Sequence, residues 1–169
     1  LAVVSVISVL CAIVFGVKWS DLSAQNDTRA TVQRVSKDFL TALTNFTPRT
    51  VDADFRTIST YAAGDFAKQS NQFFGSSIRQ RLEQAQAWSK GQQRYLYVQS
   101  IDGSQAQVYA EVDQTYANNK VTAPVTDVLQ VALGLSDTSS GWKISTVSVL
   151  QPPSSPSAPT GNASSATGH

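Results

Sequence analysis

Two stretches of the chain bring together side chains that could do chemistry. In NFTPRTVDADF, residues Asn45 to Phe55, the carboxylates Asp52 and Asp54 sit two positions apart between Arg49 and Arg56. Such a pair could divide acid and base work, share a cation, or simply mark the hinge of a helical hairpin. In QAQVYAEVDQTYA, the residues Tyr109, Glu111, Asp113 and Thr115 alternate, so on a strand they share one face. Two acids and two hydroxyl residues on one face are the chain's best candidate for proton transfer. The only histidine is His169, and neither a glycine-rich phosphate loop nor a metal-ligand cluster occurs.

Helical geometry decides the first stretch. With Thr50 as N-cap, both carboxylates fall in the first turn, where exposed amides and the helix dipole stabilise each by about 0.3–1 kcal/mol. Residues two apart on a helix point about 200° away from each other, so they cannot converge on one proton or one metal. Arg56, four positions after Asp52, is placed for an i,i+4 ion pair. The stretch therefore reads as the hinge of a helical hairpin. Asn26-Asp27-Thr28, Asn45-Phe46-Thr47 and Asn162-Ala163-Ser164 match a glycosylation acceptor and are read as chance matches. The strand residues read most simply as a solvated sheet surface, with Val108, Ala110 and Val112 on the face that helices cover.

The positioning elements follow from periodicity. Val32, Val35, Phe39, Leu43 and Phe46 form one helical stripe that Thr47-Pro48 stops. Val51, Phe55, Ile58 and Ala62 mark a second helix ended by Gly64. Asp65 is placed to cap FAKQSNQFF, and Ser76 or Ser77 to cap IRQRLEQAQAW, with Ile78, Leu82, Ala85 and Trp88 on one side. After Gly91 the pattern turns to strands: QRYLYVQSI, a turn at Asp102-Gly103, QAQVYAEVDQTYA, TDVLQVALGLS and WKISTVSVL. Tyr95 and Tyr97 share one face of the first strand, Leu96 and Val98 the other. Helices followed by a strand meander give an α+β order with helices on one face of the sheet. Phe73 and Phe74 adjoin at Gly75, and adjacent helical residues cannot both face one core, so one of them is a possible contact.

The ends differ from this domain. Residues Leu1 to Val17 carry no charge and are closed by Lys18 and Trp19, a cation and a ring suited to a membrane interface. The run is a little short of the roughly 20 residues a span needs. The sequence holds no methionine, and the expectation is that residues upstream of Leu1 complete the helix. Length and flanks favour an uncleaved anchor over 1–19 rather than a secretory signal, whose apolar core is shorter. Ser5, Ser8, Cys11, Phe15, Gly16 and Trp19 are its candidate docking residues, small or amphipathic side chains on an apolar helix. Residues 151–169 hold four of the six prolines and no charge, and read as a disordered tail. Between the ends, residues 20–150 make one domain with its own core.

Lys18 is the only charge in the first 19 residues, which leaves 12 basic against 12 acidic residues beyond them. A neutral domain lacks the electrostatic footprint of a nucleic-acid binder. The single cysteine, Cys11, lies in the anchor, so the domain has no disulfide, thiolate metal site or nucleophilic cysteine.

The run FLTALTNFTPRTVDADFRTISTYAAGDF resembles the central signature of the actinobacterial Mce-associated membrane proteins, accessory to the "mammalian cell entry" lipid transporters. VYAEVDQTYANN and GWKISTVSVL resemble that family's middle and final strands, and the likeness covers roughly residues 1–150. It implies a cone-shaped, nuclear-transport-factor-2-like domain: a helical hairpin plus a four-stranded, mostly antiparallel curved sheet, similar to periplasmic domains of bacterial secretion systems. It further implies a single-pass protein of the inner membrane with its domain outside the cytoplasm. Its partners would be the permease and Mce proteins of a lipid importer, and membrane lipid. Cone folds of this type sometimes carry an Asp base and a Tyr donor in a pocket, which keeps an isomerase-like reading open for Asp113 and Tyr109. The expected protein is non-enzymatic, without cofactor or metal, and its alternative is a carrier that holds a lipid or small molecule in the cone.

Overall fold

A computed structural model describes residues 25–121 and 123–151, without the side chains of Asn71 and Gln151. The expected anchor and the tail beyond Gln151 lie outside these residues. Among the described residues no helix is long and apolar enough to cross a membrane.

Helix α1, residues 25–44, buries Val32, Val35, Phe39 and Leu40 along one stripe. It stops before proline is reached, because the chain pairs with the sheet. Phe46 N–H donates to the Ser89 carbonyl at 3.0 Å, and Ser89 N–H donates back to Phe46 at 2.9 Å. Helix α2, Val51–Tyr61, follows a tight turn. Thr50 is not its side-chain cap, since Thr50 is itself helical and its hydroxyl turns backwards. Thr47 N–H donates to Thr50 Oγ1 at 2.9 Å, while the N–H groups of Thr50 and Val51 both donate to the Thr47 carbonyl. Three residues after Thr47, Thr50 thus plays the part of the reaching-back residue of a capping box, and Pro48 occupies the first-turn position where a missing N–H costs nothing.

Helix α3 spans Gly64–Phe73 and α4 spans Ser76–Gln84. Gly64 opens α3 instead of ending α2, and neither Asp65 nor the serines supply a side-chain cap. The real stop is tertiary: Ala62 turns extended and Ala63 N–H donates to the Ile144 carbonyl at 2.8 Å. Helix α4 also ends earlier than Trp88, and Gln86 makes the stop. Its φ is +50°, and Ala87 N–H reaches Leu82 O while Gln86 N–H reaches Glu83 O. That is the bond pattern of a Schellman cap, with glutamine where glycine is usual.

Strands β1 (Trp88–Asp102), β2 (Gln105–Ala117), β3 (Val125–Thr138) and β4 (Gly141–Gln151) form one antiparallel sheet in chain order. The β1–β2 turn falls one residue later than expected: Asp102 pairs with Gln105, and Gly103-Ser104 make the loop, with Gly103 at φ +53°. Gly91 lies inside β1 and not at its boundary. A Cβ there would fall 2.5 Å from Thr44 Cβ, so this glycine lets the end of α1 lie against the sheet.

The inner face contributes Val98, Val108, Ala110, Val112, Val131, Leu133, Leu135 and Ile144, all fully buried. They join Val32, Phe39, Val51 and Ile58 of the helices in one core. Each large side chain so buried contributes about 1.5–3 kcal/mol. A chain of edge-to-face rings, Phe39–Phe66 at 5.5 Å and Phe55–Phe74 at 5.0 Å, with Phe66–Phe74 at 6.2 Å between them, ties α1, α2 and α3 together.

Candidate functional site

The hinge carboxylates part company, as helix geometry requires. Asp52 Oδ1 accepts from Arg79 Nη1 of α4 at 2.6 Å. The expected i,i+4 partner, Arg56, is not the one used: an arginine on a neighbouring helix joins two elements. Asp54 Oδ2 and Arg79 Nε are each buried without a hydrogen-bond partner. Asn45 is held at both ends of its amide, with Nδ2 donating to Thr41 O at 2.8 Å and Oδ1 accepting from Gly91 N–H at 3.2 Å. This stretch is the stitched corner of the fold.

The open face of the sheet gathers the other candidates. Tyr109 donates to Glu111 Oε1 at 2.6 Å, and Gln130 Nε2 of β3 donates to the same oxygen at 3.2 Å. This carboxylate bond, helped by desolvation, raises the Tyr109 pKa above the ordinary tyrosine value. Asp113 is engaged by Arg94 through Nη2 at 2.7 Å and Nε at 3.2 Å, a two-point ion pair. Thr115 and Thr126 share a hydroxyl bond at 2.8 Å. Arg94 belongs to a register shift between Gln93 and Tyr95, one residue more on β1 than on β2. Because side chains alternate, that extra residue turns Tyr95 and Tyr97 to the open face and Leu96 and Val98 to the core. Both tyrosines are half exposed, at 50% and 51%, with ring planes within 19° and centroids 6.4 Å apart. Tyr109 stands 6.4 Å from Tyr95.

On the helix side, a groove of about 610 Å³ runs between α1, α3 and the edge strand β4. Phe39, Leu43, Phe66, Phe73, Phe74 and Val149 supply its apolar lining. The neighbours Phe73 and Phe74 split: Phe74 joins the ring cluster, while Phe73 is 58% exposed at the groove. Asp65 at the rim is bonded to Lys68 at 2.9 Å, which holds its carboxyl below the ordinary range. Sequence reasoning missed this groove, whose walls come from three separated segments. Ser5, Ser8, Cys11, Phe15, Gly16 and Trp19 lie outside the described residues. Among the described residues no cluster of His, Cys, Asp and Glu could hold a metal ion.

No family model matches the sequence, and no curated protein matches it significantly. Solved structures do. The periplasmic domain of DotI is 11% identical, with a TM-score of 0.59 over 71% of this chain and 93% of its own. An IcmL-like type IV secretion system protein from Legionella pneumophila is 16% identical, with a TM-score of 0.56 over 75% of this chain and 96% of that one. An NTF2-like protein with a cystatin-like fold from Novosphingobium aromaticivorans is 9% identical, with a TM-score of 0.56 over 78% and 86%. The fold is NTF2-like. At these identities the likeness is one of architecture, an α+β domain with helices on one face of a curved antiparallel sheet.

Proposed function

We propose that this chain is a non-enzymatic, single-pass accessory subunit that associates with and stabilises an Mce-type lipid import complex in the inner membrane. The observation that carries the reading is the fold shared with the periplasmic domain of DotI. It supports an extracytoplasmic domain held at a membrane by a segment ahead of α1. Two further features agree. The residues of the Mce-associated signature serve the fold, with Thr47, Thr50 and Asp52 spent on the hinge and its link to α4. Asp113 is paired with Arg94 on the face away from the groove, whereas a carboxylate base tuned by burial needs the enclosed side. The reading is tested by removing the chain from its native cell and measuring the amounts of the permease and Mce proteins. A stabilising subunit lowers them when absent; unchanged amounts and transport contradict it.

The groove favours a second reading. Its volume lies within the range of small-molecule sites, and its lining would suit an acyl chain. A carrier would retain lipid through detergent-free purification, with Phe73→Ser or Leu43→Ser lowering the amount retained. The isomerase-like reading, which rests on Asp113, draws no support from the groove, because Asp113 lies on the opposite face of the sheet.

A further inference from the structure

We propose that Tyr95, Tyr97, Tyr109 and Glu111 form a docking site on the open sheet face for an arginine side chain of a protein partner. The proposal rests on the reading of this domain as a protein-docking module, and holds whichever complex it joins.

Two carboxylates stand side by side on β2, and the structure treats them differently. Asp113 is neutralised by a two-point pair with Arg94. Glu111 receives hydrogen bonds from neutral donors alone, the Tyr109 hydroxyl and the Gln130 amide, and both go to Oε1. Oε2 takes part in neither bond. The result is a negative charge, unpaired by any cation among the described residues, at the edge of three tyrosine rings. Its position is fixed, because Oε1 is held from both sides.

The rings supply the second half. Tyr95 and Tyr97 stand with nearly parallel rings, stacked 6.4 Å apart, as an open shelf that the register shift at Arg94 has turned away from the core. Large half-exposed rings cost free energy in water, and ring faces attract a cation placed within about 6 Å. A guanidinium meets both demands at once. It is planar, so it lies flat on a ring, and its fork of N–H groups can engage a carboxylate beside that ring. A quaternary ammonium has no N–H for Glu111, and it is held by aromatic cages that enclose it, whereas this shelf is open. A second copy of the chain is also a poor match. A two-fold contact would present the same face, and the arginine on that face, Arg94, is already engaged by Asp113. Tyrosine and arginine are the residues that dominate protein interfaces, and they tend to face each other there.

The test uses the full chain in neutral detergent micelles, with tyrosine rings isotopically labelled for NMR. The probe is acetyl-Arg-Arg-Arg-amide, with tetramethylammonium and a triglutamate peptide as comparators. The expected result is a saturable shift of the Tyr95, Tyr97 and Tyr109 rings with the arginine peptide alone. In Glu111→Gln the affinity falls about tenfold, the scale of a charge-assisted bond. Tyr97→Leu gives a comparable loss, and serves as a second variant should Glu111→Gln disturb the sheet. Unmoved tyrosine rings overturn the proposal, as does an arginine affinity unchanged in both folded variants. Tetramethylammonium binding as tightly as the arginine peptide overturns it in favour of a headgroup site. Because the peptide assay contains no transporter protein, its failure is distinct from failure of the accessory-subunit reading.

Discussion

Arg79 Nη1 and Asp52 Oδ1 meet at 2.6 Å across 27 positions of sequence, joining α4 to the first turn of α2. The arginine side chain is 28% exposed and the aspartate 53%, so water screens part of the attraction. A double-mutant cycle with Asp52→Asn and Arg79→Gln is expected to give a coupling energy of about 0.5–1 kcal/mol by thermal denaturation, falling with salt. Arg56→Ala should stay within about 0.5 kcal/mol of the parent. A larger effect at Arg56 than at Arg79 would contradict the assignment.

Gln86 holds the left-handed position that ends α4. A side chain there costs about 1–2 kcal/mol that glycine avoids, while glycine's looser unfolded state returns part of the gain. Gln86→Gly is therefore expected to stabilise the domain by about 0.5–1 kcal/mol, read from the midpoint of chemical denaturation. The gain is reduced by the loss of the exposed bond from Gln86 Nε2 to Glu83 O. A destabilised variant would mean that the cap does not form as described.

Gly91 makes the opposite prediction. Its missing Cβ gives room to Thr44, and with a Cβ at 2.5 Å from Thr44 Cβ something must move. Gly91→Ala is expected to cost about 1–3 kcal/mol, the range for overpacking a filled site. Wild-type stability in this variant would show that α1 does not approach β1 so closely.

The Tyr109–Glu111 bond gives the face a pH dependence. The neutral phenol donates to the carboxylate, so the folded pKa of Tyr109 lies above the unfolded value of about 10. The stability it contributes is present below the unfolded pKa and is lost as pH rises through the folded one. Tyrosinate absorbance during an alkaline titration should show a late-titrating tyrosine that returns toward the ordinary value in Glu111→Gln. The absence of any difference between the two proteins would contradict the bond.

Much of this architecture is legible in the sequence because the signals are local. Asp102-Gly103 marks its hairpin to within one residue, and β2 runs over the residues its alternation predicts, Gln105–Ala117. The errors share one physical cause, that an isolated residue type was asked to decide something set by a distant neighbour. Gly91 reads as a breaker until Thr44 is known to lie against it. Gln86 carries no sequence mark of a stop, since any residue can be forced into a left-handed cap when the flanking elements require it. Arg56 looks like the partner of Asp52 because it is near in sequence, yet Arg79 is near in space. The open-face tyrosines were visible as a pair on β1, but their meeting with Tyr109 and Glu111 depends on the strand register. The groove beside Phe73 depends on three segments and leaves no pattern in any one of them.

The proposed role, an accessory subunit of a lipid importer, requires physical association with that complex. Its most direct test is a mild-detergent pull-down of the tagged, full-length protein from its native membrane, with mass spectrometry of proteins and lipids. For an accessory subunit, the expected result is that Mce proteins, permease and ATPase subunits come down together at constant ratio. Recovery of the protein without them, carrying stoichiometric lipid or nothing at all, would contradict it.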